Sequence, residues 1–77
     1  MALYWIVHEL GDQRSIFVAE ASSLIYARLQ AMRAGHAGKF IQAHELDRQT
    51  ARQLPSDVLG QTLNPAKARA VLPKMRT

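Results

Sequence analysis

A chain of 77 residues offers room for one domain, and at this length folding buries only about 60% of the surface that the unfolded chain exposes. There is no cysteine, which excludes disulfide staples and thiolate metal sites and fits a reducing, cytoplasmic setting. The longest apolar run, "MALYWIV", falls far short of the roughly 18 residues that a membrane span needs, and no basic segment precedes it to suggest a signal peptide.

The net charge of +4 is unevenly distributed. Residues 1–20 carry Arg14 against Glu9, Asp12 and Glu20. Residues 21–54 carry Arg28, Arg33, Lys39, Arg48 and Arg52 against Glu45 and Asp47, and residues 55–77 carry Lys67, Arg69, Lys74 and Arg76 against Asp57. The acidic excess thus sits at the front and the basic excess behind it, a pattern seen both in polyanion-binding surfaces and in ordinary solvated basic faces.

The first element is "LYWIVHEL", Leu3 to Leu10, whose β-branched and aromatic content predicts a strand. Successive strand side chains point to opposite faces of a sheet, and here both faces are apolar until His8 and Glu9. Gly11-Asp12 suits the centre of a type II′ turn. The resulting hairpin pairs Leu10 with Gln13, Glu9 with Arg14, Val7 with Ile16 and Trp5 with Val18. One face then carries Trp5, Val7, Ile16 and Val18, and the other carries Tyr4, Ile6 and Phe17.

"SSLIYARLQAMRAG" predicts the main helix, capped by Ser22 or Ser23 and closed by Gly35. A wheel gathers Leu24, Ile25, Leu29, Ala31 and Met32 into one apolar arc, with Tyr26, Gln30 and Arg33 opposite. Arg28 interrupts the arc, as expected of a stem lying along the core edge with its guanidinium reaching solvent or a glutamate. "GHAG" is a loop, and "KFIQAHE" is a third strand in which Phe40, Gln42 and His44 alternate with Ile41, Ala43 and Glu45. Asp47 caps a short helix running to Leu54, with Arg48 and Arg52 on its outer side. "PSDVLG" is a single helical turn. Asn64 and Pro65 start a last helix that Pro73 ends.

The fold class expected is α+β: a small three-stranded sheet in the order β-β-α-β-α, followed by one or two short C-terminal helices. Residues 1–73 form the single domain and 74–77 a flexible tail. The first strand is the most apolar and is placed centrally, with the third running parallel to the second. Trp5 is expected beneath the Leu24–Leu29–Met32 side of the main helix. Tyr4, Ile6 and Phe17 would then be closed by the C-terminal helices or by a second copy, which makes them the oligomer-interface candidates.

The sequence carries little that points to chemistry. His8, His36 and His44 lack the close spacing of a zinc site. There is no nucleophile elbow, and Ser22–Ser23 reads as helix capping rather than an activated hydroxyl. "GHAGK" lacks the spacing and the hydroxyl of a phosphate loop, since Phe40 follows Lys39. No catalytic residue, metal, cofactor or small-molecule ligand is implied. The expectation is a non-catalytic, homo-oligomeric interaction module. The alternative is a basic accessory protein that binds nucleic acid without sequence specificity through Arg33, Lys39, Arg48, Arg52, Lys67 and Arg69.

Overall fold

The computed structural model describes residues 1–35 and 38–73. β1 (Ala2–Leu10) and β2 (Gln13–Ala21) pair antiparallel along their whole length, with Leu10 opposite Gln13, Val7 opposite Ile16 and Trp5 opposite Val18. This is the register that the Gly-Asp turn predicts. Gly11 takes φ +64°, and among the described residues only glycines have positive φ. Asp12 therefore keeps the negative φ that a type II′ turn requires at its second central position. Next to the turn, Arg14 Nε donates to Glu9 Oε2 at 3.3 Å. The pair is substantially exposed, so it is worth only about 0.2–1 kcal/mol.

α1 (Leu24–Arg33) follows, capped by Ser23, whose Oγ accepts from Tyr26 N. Gly35, at φ +78°, ends it by donating to Met32 O at 3.0 Å. β3 (Lys39–Leu46) then pairs antiparallel with the free edge of β1. β1 is accordingly an inner strand, and β2 and β3 run parallel to each other on either side of it, as the sequence predicts. α2 (Arg48–Arg52) is capped by Asp47, and a 3-10 turn spans Ser56–Val58. β4 (Thr62–Leu63) pairs with Ile16 and Phe17 of β2. α3 (Pro65–Val71) is the last described element, with Asn64 Oδ1 accepting from Lys67 N at 2.7 Å. The tail expected over residues 74–77 lies outside the described residues.

Among the described residues the sheet has four strands in the order β3-β1-β2-β4, all neighbours antiparallel, so the expectation of three strands is corrected. Two residues are too few to show a period of two, so β4 leaves no pattern in the sequence. A second correction concerns β3. Pairing passes from Val7–Gln42 to His8–Phe40, which leaves one extra residue in a bulge. The bulge breaks the regular alternation and turns Phe40 onto the same side as Ala43.

The largest correction is to the two faces of the hairpin. Trp5, Val7, Ile16 and Val18 are packed against Leu46, Val58, Leu63, Ala68 and Leu72, all from the C-terminal half of the chain. Tyr4, Ile6 and Phe17 lie instead under α1, packed with Ala19, Ala21, Ala27 and Ala31. The assignment of the faces is therefore reversed. The physical reason is volume. The bulky indole is enclosed by several aliphatic side chains from short segments that can close around it. α1 approaches the aromatic-rich face through two alanines, small enough to let the helix backbone come close over Tyr4 and Phe17. Among the described residues, the seven largest fully buried side chains include just one from outside the hairpin, Leu72. Each such side chain contributes about 1.5–3 kcal/mol on burial, so the doubly covered hairpin supplies most of the core.

Candidate docking surface

The choice of Ala27 and Ala31 as the buried face of α1 determines what its other side shows. Residues advance about 100° each around a helix, so Ile25, Leu29 and Met32 fall opposite the two alanines. Ile25 is 72% exposed and Met32 70%. Leu24, Tyr26 and Leu29 are exposed as well, so among the described residues five of the eight exposed large hydrophobic residues belong to this one helix. A surface helix of a small domain ordinarily turns such residues inward and polar ones outward. Here the apolar arc that looks like a core stripe faces solvent.

The spacing of the exposed residues is specific. Ile25, Leu29 and Met32 are separated by four and then three positions, the interval that keeps side chains in one seam against another helix. Ile25, Leu29, Met32 and Arg28 line a shallow groove of about 210 Å³. Arg28 lies along one side of the seam, and Arg33 and Tyr26 along the other. α1 carries no acidic residue.

Arg28 is held in place. Its guanidinium carbon sits 4.2 Å from the centroid of the Phe40 ring, a cation–π contact worth about 0.5–1 kcal/mol at an exposed site. Arg28 is exposed, as expected of a guanidinium that reaches solvent, and the β3 bulge adds a ring contact by bringing Phe40 to the α1 side. Phe40 in turn meets His8 edge to face, with ring centroids 5.9 Å apart. Burial, and then the nearby positive charge of Arg28, hold the His8 imidazole below its ordinary pKa. At the opposite end of the same face, Tyr4 donates its hydroxyl proton to Glu45 Oε1 at 3.3 Å. Burial, the Glu45 charge and that hydrogen bond together push the Tyr4 phenol upward.

The other residues singled out from the sequence are dispersed. Tyr4, Ile6 and Phe17, the oligomer-interface candidates, are buried within the chain under α1, and the exposed apolar residues on this side lie one layer further out. Among the nucleic-acid candidates, Arg33 belongs to α1, on one side of the sheet, and Lys39 begins the edge strand β3 opposite Glu9. Arg48 and Arg52 lie on α2 and Lys67 and Arg69 on α3, whose Ala51 and Ala68 pack into the Trp5 core on the other side. His8 lies on the Tyr4 side, whereas His44 pairs with Trp5 and so shares the opposite side. His36 lies outside the described residues. Among the described residues no three metal-capable side chains gather, and no helix is long and apolar enough to cross a membrane.

Sequence reasoning missed Ile25, Leu29 and Met32 as a surface. The signal available was the Ala27–Ala31 pair at i, i+4. Small side chains on one stripe, set against large ones on the sheet strands, mark the side on which a helix can approach most closely. No protein-family model, curated protein or solved structure matches the chain.

Proposed function

We propose that this chain is a small, non-catalytic interaction module whose working surface is the outer face of α1. The occupant is an amphipathic helix of a partner protein. One observation supports this above the others: a seam of Ile25, Leu29 and Met32, spaced for helix packing, stands exposed on a helix whose inward contacts are already made by Ala27 and Ala31. Contiguous exposed apolar residues rimmed by polar ones are a feature of interaction sites, unlike apolar residues scattered singly over a surface. Helix-in-groove recognition uses this arrangement of anchors at i, i+4 and i+7.

The alternative, nucleic-acid binding without sequence specificity, draws on Arg48, Arg52, Lys67 and Arg69, which share one layer. It leaves the apolar seam without a role, so docking is the better account. The test is titration of the chain with a helical peptide of about three heptads that carries leucine at four–three spacing and glutamine on its flanks. Saturable binding that is lost in the Ile25→Gln/Met32→Gln double variant supports the reading. No binding up to millimolar peptide refutes it. Binding to a DNA or RNA oligonucleotide that the double variant retains would favour the alternative.

A further inference from the structure

Resting on that docking surface, we infer that the partner helix is acidic along its flanks, and that a second copy of this chain is the wrong occupant. The inference starts from the positions bordering the seam. With Ile25, Leu29 and Met32 as the packing residues, the flanks are Tyr26 and Arg33 on one side and Arg28 on the other. Flanking positions set partner choice and orientation in paired helices, because their charges meet across the interface. In this chain the charges on both flanks are positive.

Consider α1 against another α1. In the antiparallel arrangement centred on Leu29, Arg28 of one copy comes beside Arg28 of the other. In the parallel arrangement Arg28 of one copy comes beside Arg33 of the other. Both orientations bring like charges together, and α1 contains no carboxylate to relieve either. Both copies also carry the net charge of +4. Discrimination against one partner by repulsion is as effective as attraction to another.

A helix with glutamates on its flanks meets the same surface with opposite charges on both sides. Among the described residues neither Arg28 nor Arg33 is paired with a carboxylate, so both guanidinium groups are available. Arg28 is also fixed in position: stacking on Phe40 at 4.2 Å holds its planar donor fork at the edge of the groove, and less rotamer freedom remains to be lost on binding. The seam supplies contact area and the two arginines supply selectivity.

The test uses the whole chain and three helical peptides that share one leucine seam and differ only in their flanks: glutamate, glutamine or lysine. Two exposed ion pairs gained should tighten the glutamate peptide about tenfold over the glutamine peptide, and the lysine peptide should bind more weakly still. Raising salt from about 0.05 to about 0.5 M should erase that difference, because the pairs lie at the rim, while leaving the glutamine peptide nearly unchanged. Arg33→Glu leaves one positive and one negative flank, so it should abolish the preference without altering the circular dichroism spectrum. Sedimentation velocity of the chain alone should show a monomer at tens of micromolar. Equal binding of the glutamate and glutamine peptides overturns the charge inference and leaves the docking surface intact. Binding of none of the three refutes the docking surface itself. A dimer abolished by Ile25→Gln/Met32→Gln assigns the face to a second copy and overturns the inference.

Discussion

Two adjacent residues of α1 should respond to substitution in opposite ways to what their size suggests. Ala31 is 1% exposed and lies between the helix and the Tyr4–Ile6–Phe17 face. Met32 is 70% exposed on the outer side. Ala31→Leu forces roughly three methylene-sized groups into a close-packed interface, and overpacking of this kind costs about 1–3 kcal/mol. In a domain of this size each kcal/mol lowers Tm by about 4–8 °C, so the expected drop is on the order of 5–20 °C. Met32→Ala removes exposed apolar surface and should stay within about 0.5 kcal/mol of the parent. Urea unfolding followed by fluorescence reads both, since Trp5 is the one tryptophan and is fully buried on the far side of the sheet. If Met32→Ala cost more than about 2 kcal/mol while Ala31→Leu were neutral, α1 would be seated on its other face and the docking surface would not exist.

Trp5→Ala should cost about 3–5 kcal/mol and leave little folded protein, whereas deletion of residues 55–73 should produce the same loss by uncovering that side chain. The latter outcome, read by red-shifted Trp5 emission, separates enclosure by the C-terminal segment from enclosure by α1. Protonation of His8 should weaken the fold. Its pKa is depressed in the folded chain, so the unfolded chain takes up the proton more readily. Stability is therefore complete above about pH 6.5 and falls as pH drops through the depressed folded value. Urea midpoints between about pH 7.5 and 5 should show this slope, and His8→Gln should flatten it; an unchanged slope in the variant would place the effect elsewhere. Gly38→Ala should be costly, because φ is +110° and an added Cβ would lie 2.7 Å from the Glu9 carbonyl oxygen. A loss of about 1–3 kcal/mol is expected, larger than for Gly11→Ala, where the space is open and only the positive φ is strained.

The hairpin was legible because three local signals agreed. Gly11-Asp12 fixed the turn, the turn fixed the register, and the register sorted Trp5, Val7, Ile16 and Val18 from Tyr4, Ile6 and Phe17. Helix starts were equally readable, since Ser23, Asp47 and Asn64 all cap the helices that follow them. What covers each face was not legible. A helical wheel ranks residues by hydrophobicity, and Leu24, Leu29 and Met32 outrank Ala27 and Ala31. The seating of α1 is decided by closeness of approach over Tyr4 and Phe17, a property of two surfaces together. The β3 bulge was hidden for a similar reason, because "KFIQAHE" alternates well enough in isolation and only its pairing with β1 reveals the extra residue. Those two features place Arg28 over Phe40 and leave the seam outside, so the candidate surface depends on the parts of the fold that local pattern reports least.

The most direct test of the account is a map of amide chemical-shift changes in the isotope-labelled chain as the glutamate-flanked peptide is added. The account predicts changes concentrated in α1, from Leu24 to Arg33, and in the neighbouring Phe40, with Arg48, Arg52, Lys67 and Arg69 on the opposite layer left unmoved. Changes centred on α2 and α3, with α1 silent, would contradict it.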